Sequence, residues 1–343
     1  MIGFLGCSNS SGGSDFPSDY IMLKFSDVSW MGFDPQDVEQ WNDFFISEGG
    51  NTNFTAVELG FGVVKLAGNL DLPAARLRIS NKNLVDCDLS KFIGLERLDL
   101  SSNQLSNGGT IIDGLSNLTH LKLDNNPLFE LNTTALMEQH KIESISLNNC
   151  DLFALSVDTL DTIRYLSVNN NEALSFIDGL NTTGGSLLTL DITACAFEEI
   201  ELSSLDSLEN LLAGNNPFAS NLILTSNTNL KYLYLTACNQ SGVFDCSSNP
   251  LLKLIVLTGN AYSKIIGVDT LASIDNLTSF YLGDNLFSLL EIGFFFDYLV
   301  TASKYPSVIK IDGAGNAAIG GDPDVVDDYN TLSSNSVIMY VNM

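Results

Sequence analysis

One spacing pattern constrains this chain more than anything else in it. Leu95-x-x-Leu98-x-Leu100-x-x-Asn103-x-Leu105 is followed by Leu118-x-x-Leu121-x-Leu123-x-x-Asn126-x-Leu128, and the frame then recurs. Its Asn position falls at Lys82, Asn103, Asn126, Cys150, Asn171, Cys195, Asn216, Cys238, Asn260 and Asn285, ten registers set 21 to 25 residues apart. Five residues before each register stand Leu77, Leu98, Leu121, Ile145, Leu166, Leu190, Leu211, Leu233, Ile255 and Phe280, all large and apolar. Three before it come Ile79, Leu100, Leu123, Leu147, Val168, Ile192, Ala213, Leu235, Leu257 and Leu282, of which only Ala213 is small. In an extended segment alternate side chains face opposite ways, so these two positions share a core while the residue between them faces out. A unit this short cannot bury its apolar face alone and must stack on copies of itself. An Asn at a fixed place in each layer can satisfy backbone groups where the chain turns away, and stacked copies would form a ladder.

The frame resembles the leucine-rich-repeat family, whose consensus is L-x-x-L-x-L-x-x-[N/C]-x-L, over residues 74–287. That resemblance implies an α/β-type repeat solenoid, a horseshoe with a parallel concave β-sheet, short convex strands and α+β caps at both ends. Asp88-Leu89-Ser90, Glu201-Leu202-Ser203 and Asp245-Cys246-Ser247 resemble the convex strand of bacterial and phage-type, internalin-like repeats. Asn126-Pro127 and Asn249-Pro250 supply turn chemistry. Four segments follow: an extended arm over 1–18, an N-terminal cap over 19–73, about ten repeats over 74–287 and a C-terminal cap over 288–343. The first cap is expected to hold a strand at 20–25, a helix at 35–47 and a strand pair over 54–66. The second should run helix, strand, helix, strand over 287–303, 308–311, 324–331 and 337–341.

Charge narrows the function classes. Forty-one acidic residues against 15 basic ones give a net charge of −26, which repels phosphate backbones, so nucleic acid is not an expected partner. No apolar run reaches the ~18 residues a membrane helix requires. At the N-terminus Phe4-Leu5-Gly6-Cys7 faintly resembles a lipoprotein cleavage box. It lacks a basic leader and a full apolar stretch, so no standard cleaved signal is expected and synthesis is placed in a bacterial cytoplasm.

Catalysis finds little to work with. The only histidines, His120 and His140, lie in no nucleophile or zinc motif; His120 falls on a concave strand position and His140 between strands. Cys150, Cys195 and Cys238 occupy the ladder position, where a Cys acts as a small buried hydrophobe. They are two strands apart, about 10 Å, too far to bridge. Cys87 and Cys246 take convex core positions, and the chain reads as disulfide-free. Sequons such as Asn117-Leu118-Thr119 and Asn276-Leu277-Thr278 read as products of repeat composition, and Gly313-Ala314-Gly315-Asn316 is too short for a nucleotide loop. No cofactor or metal is implied.

The frame also names a candidate surface. The outward strand positions are Arg78, Asp99, Lys122, Ser146, Ser167, Asp191, Leu212, Tyr234, Val256 and Tyr281, with Arg97, His120, Ser144, Tyr165, Thr189, Asn210, Tyr232, Leu254 and Ser279 two residues earlier. Early repeats are polar there, whereas Leu212, Tyr232, Tyr234, Leu254, Val256 and Tyr281 cluster late; with Tyr165 they form the expected partner-binding set. The expectation is a non-enzymatic binding or structural protein whose partner is a protein of a larger assembly or a host-surface protein or glycan. Its sharpest form is a virion component, a phage fibre, tail or decoration protein. The flanks, including Trp41-Asn42-Asp43-Phe44-Phe45 and the 337–341 segment, resemble those of phage and prophage repeat proteins, and the Gly/Ser-rich arm reads as a contact between subunits of a homo-oligomer. The alternative is an internalin-like adhesin on the extracellular surface, lipidated at Cys7.

Overall fold

The computed structural model describes the backbone of Tyr20–Phe25, Phe54–Gly60 and Val63–Gly68. It describes residues 76–343 with their side chains, apart from 91, 107–110, 132–140, 159, 184 and 272–277. Twelve parallel strands form one sheet, beginning at Ala75–Arg78 and adding one neighbour at a time in chain order to Ile338–Tyr340. Most are three residues long, and their central residue is buried: Leu121, Ile145, Leu166, Leu190, Leu211, Leu233, Ile255 and Phe280 are each 1% exposed or less. Register is strict, with Leu121 beside Ile145, Ile145 beside Leu166 and Leu233 beside Ile255. Each layer therefore covers the apolar face of the next, and the core runs unbroken from Leu77 to Val337.

The turn after each strand explains the ladder. Asn171 Oδ1 accepts from the N–H groups of Cys150 (2.9 Å) and Leu152 (3.0 Å) in the preceding repeat. Its Nδ2 donates to Leu147 O (2.9 Å) and Val168 O (2.6 Å). Asn103 and Asn260 repeat this set of bonds, while Asn126, Asn216 and Asn285 link their own turn to the preceding one in the same way. One carboxamide thus closes its own turn and ties it to the preceding one. At Cys150, Cys195 and Cys238 the thiol makes only the donor half of the contact, to Leu123 O (3.3 Å), Val168 O (3.2 Å) and Ala213 O (3.1 Å).

The residue before each ladder position carries a second demand. Asn81, Ser102, Asn125, Asn149, Asn170, Ala194, Asn215, Ala237, Gly259 and Asp284 all have φ between 51° and 75°. Asn, Asp and Gly tolerate this left-handed region, whereas an alanine there is strained by about 1 kcal/mol. Ala237→Gly should consequently stabilise the chain by up to ~1 kcal/mol. A rise in the denaturant midpoint checks this; an unchanged or lower midpoint contradicts it.

On the convex side short strands pair in parallel, Leu155–Ser156 with Ile177–Asp178 and Ser241–Asp245 with Ala261–Ile266. The expected acid-x-Ser signature marks the end of a convex strand at Asp88 (Leu84–Asp88) and Asp245 (Ser241–Asp245), whereas Glu201 lies outside any strand; at all three the acid forms a turn. Asp88, Glu201 and Asp245 accept through a carboxylate oxygen from the backbone N–H two residues on, at Ser90, Ser203 and Ser247. The acid ends the segment by offering its N–H a local partner, and the intervening Leu89, Leu202 or Cys246 points into the core. A short second ladder stands beyond it, where Asn249 Nδ2 donates to Leu224 O and Asn227 O.

At the C-terminal end the expected elements appear as helix α1 (Leu289–Thr301), strand Val308–Lys310, helix α2 (Pro323–Ser334) and strand Ile338–Tyr340. α1 is capped by Ser288 and lays Ile292, Phe296 and Leu299 on the core, while α2 begins on Asp322 with Pro at its first turn. Both strands continue the concave sheet in register instead of forming a separate layer. Asn316 is an eleventh ladder residue, donating to Leu282 O and Ile311 O and accepting from Phe287 N–H. It sits five residues after Ile311, two more than the frame allows, because Gly313 (φ 102°) and Gly315 thread a wider turn against Asp284 and Asn285 where a Cβ would clash. At the other end Tyr20–Phe25 pairs antiparallel with Val63–Gly68 and with the first convex strand, Leu84–Asp88, and Phe54–Gly60 completes that sheet. The arm at 1–18, the helix expected at 35–47, Cys7, His140 and Asn276 lie outside the described residues.

Candidate binding face

Two columns of outward side chains run the full width of the concave sheet. Tyr232 is registered between Asn210 and Leu254, and Tyr234 between Leu212 and Val256, which in turn lies beside Tyr281. Leu212, Tyr234, Leu254, Val256 and Tyr281 are half-buried and Tyr232 is 40% exposed, so these six make one apolar surface. The columns continue beyond the ten sequence registers, one through Ser279 and Val308 to Ile338 and the other through Lys310 to Tyr340, Ile338 and Tyr340 being 54% and 51% exposed. Tyr165 does not join it: Thr189 and Asn210, hydrogen-bonded to each other at 2.8 Å, lie between Tyr165 and Tyr232.

Not every outward position faces solvent. Ser167 is wholly buried and Asp191 is 9% exposed, in contrast to the alternation rule. The cause is a hydrogen-bond network across the strand ends. Asp124 accepts from Ser146 Oγ (2.7 Å) and Asn148 N–H (2.8 Å), Asn148 Oδ1 from Ser167 Oγ (2.6 Å) and Asn169 N–H (2.9 Å), and Asp191 from Asn169 Nδ2 (2.7 Å). These polar groups close over one another, which takes Ser167 and Asp191 out of the exposed columns. A convex stripe of Phe129, Phe153 and Phe176, 50% to 65% exposed, also escaped the sequence reading, since no repeat column requires it.

Little here is arranged for chemistry. Among the described residues no three His, Cys, Asp or Glu groups converge as a metal site. Cys87, Cys150, Cys195, Cys238 and Cys246 are free and buried. Burial raises every one of these thiols, Cys195 to about 11 and Cys150 and Cys246 to about 12. A thiol reagent at pH 8 should thus leave these five untouched until the chain unfolds, and fast native-state labelling of Cys150 would contradict the ladder. The sign of the pH effect follows. Unfolded thiols ionise near 9 while the folded ones hold their protons to about 11 or 12, so stability should fall as pH rises from 9 through 12. Asn117, within a sequon, is engaged by its neighbours: Nδ2 donates to Ile93 O and Oδ1 accepts from Lys141 Nζ. No helix among the described residues is long and apolar enough to cross a membrane.

No protein-family profile matches the chain. It is 25% identical over 321 residues to an adenylate cyclase of Schizosaccharomyces pombe, covering 80% of this chain but only 17% of that protein's length. Among solved structures it is similar to a leucine-rich-repeat protein of Leptospira interrogans, at 20% identity and a TM-score of 0.64 over 80% of this chain and 68% of that one. An internalin of Listeria monocytogenes matches at 15% identity and a TM-score of 0.51, covering 83% of this chain and 91% of that one. The functional domain of InlJ from the same organism, described as including a cysteine ladder, matches at 19% identity and 0.50 over 62% of this chain; the match spans 49% of that structure. The consensus in ten registers, the twelve-stranded parallel sheet and these likenesses agree that this chain is a leucine-rich-repeat solenoid.

Proposed function

We propose that the chain is a non-catalytic binding subunit that takes a protein partner on the C-terminal half of its concave face. The observation that carries this reading is the registered surface of Leu212, Tyr232, Tyr234, Leu254, Val256 and Tyr281, with Val308, Ile338 and Tyr340 following in the same columns beyond Ser279 and Lys310. Tyrosines offer large rigid apolar area with a polar tip, the composition of interface hot spots, and the strands beneath Tyr232, Tyr234 and Tyr281 are held by paired neighbours on both sides. The cyclase likeness does not favour an enzyme, since it spans only 17% of that relative. The setting proposed is a virion assembly, supported by the phage-like flanks; an extracellular surface adhesin is the competing setting, favoured by the internalin likenesses. Fractionation of the source tests both. The chain should be recovered in fixed stoichiometry with a particle, or with the cell surface if the second setting holds. A free monomer that turns over a substrate would contradict the proposal.

A further inference from the structure

The chain contains four arginines, and three of them, Arg76, Arg78 and Arg97, meet on one face of an otherwise acidic protein. With His120 and Lys122 they line a concave trough of about 480 Å³ at the N-terminal end of the sheet, closed toward the middle by Tyr165. We propose that this trough binds a compact carboxylated saccharide of the uronic-acid type, at a site separate from the apolar patch.

Arg76, Arg97 and His120 occupy consecutive rungs of one column, and Arg78, Asp99 and Lys122 those of the other. Neighbouring rungs are ~4.8 Å apart, so the two guanidinium groups of Arg76 and Arg97 serve the same small volume. Arg78 contacts Asp99 at 3.5 Å and Lys122 contacts Asp124 at 3.6 Å, whereas Arg76 and Arg97 have no carboxylate partner among the described residues. Two unneutralised guanidinium forks on a rigid sheet suit a carboxylate, which they bind through paired N–H donors.

Three features select the ligand. The volume is that of a small-molecule cleft, enough for one or two sugar rings. A long polyanion would run from the trough onto the surface of a chain carrying −26, so the ligand's charge must be confined. An acidic peptide would bring backbone N–H and C=O groups that need partners, and of the strands flooring the trough only Ala75–Arg78 stands at the edge of the sheet, the others having neighbours on both sides. What the trough offers instead is side-chain chemistry: the hydroxyl of Ser144 for a sugar hydroxyl and the ring of Tyr165, 39% exposed, for a sugar face.

His120 supplies the reporter. Its Nδ1 is engaged by Thr119 Oγ1 at 2.9 Å, and burial together with Arg97 and Arg76 holds its pKa below the ordinary value, against an opposing pull from Glu143. A bound carboxylate should raise it. The experiment is histidine-selective NMR of the full chain titrated with digalacturonate, with cellobiose and a tetraglutamate peptide as comparisons. Digalacturonate should shift the His120 resonances saturably and raise the pH at which His120 titrates, while cellobiose and tetraglutamate should not. Arg97→Lys keeps the charge but loses the fork and should weaken binding roughly tenfold, and Arg76→Gln with Arg97→Gln should abolish it. The combined change of Tyr232, Tyr234 and Tyr281 to Ala should leave it unaltered. The proposal is overturned if digalacturonate gives no saturable shift, if tetraglutamate binds as well, if Arg97→Lys binds like the parent, or if the distant tyrosine variant loses the saccharide.

Discussion

Replacing Asn171 with Ala should lower the stability of the array by about 3 to 5 kcal/mol, and urea unfolding followed by circular dichroism would read it. Four buried backbone groups depend on that side chain, the N–H groups of Cys150 and Leu152 and the carbonyls of Leu147 and Val168. Each buried group left without a partner costs roughly 1 to 3 kcal/mol, and local water recovers part of the total. Asn171→Cys should lose less, because the neighbouring registers at Cys150 and Cys195 show that a thiol keeps the donor half of the contact. A loss below about 1 kcal/mol for Asn171→Ala would mean that the ladder is incidental to stability. Solenoid repeats are stabilised by their neighbours, so the damage should spread to the flanking layers and not stay in one turn.

The second large effect concerns the concave patch. Changing Tyr232, Tyr234 and Tyr281 together to Ala should weaken partner binding by about four orders of magnitude, since central tyrosine hot spots are each worth roughly 2 kcal/mol and these three flank the one strand Leu254–Val256. Stability should change little, because Tyr232 is 40% exposed and the core residue of each strand, Leu233, Ile255 or Phe280, is untouched. Binding by surface plasmon resonance, paired with a thermal melt, separates the two. Parent-like affinity in a folded variant would remove the patch from the interface.

Most of the fold is legible in the residues because each repeat states the same demand: two apolar positions flanking one outward residue, then an Asn or Cys five residues after the first of them. What escaped has identifiable causes. Asn316 was hidden by two extra residues around Gly313 and Gly315, and with it the extension of the concave columns to Val308, Ile338 and Tyr340. The left-handed residue before each ladder position was written in the Asn81, Asn125, Asn149, Asn170 and Asn215 column, yet Ala194 and Ala237 blur that signal since tertiary context holds them there at a cost. Ser167 and Asp191 defied the alternation because short hydroxyl and carboxylate groups on facing rungs bond to one another in preference to solvent. The basic trough was visible only as scattered letters, as Arg76 and Arg97 are separated by a whole repeat in sequence and brought to adjacent rungs by the sheet.

The account rests on the concave face being the working face, and site-directed photo-crosslinking in the native source tests that most directly. A photoreactive phenylalanine placed at Tyr234 on the concave patch, and in separate variants at Phe153 or Ile223 on the outside, 54% and 74% exposed, reports which surface meets the partner. The concave probe should yield one discrete adduct that disappears when Tyr232 and Tyr281 are changed to Ala, with none from the outer probes. A discrete adduct from Phe153 or Ile223 and none from Tyr234 would contradict the account.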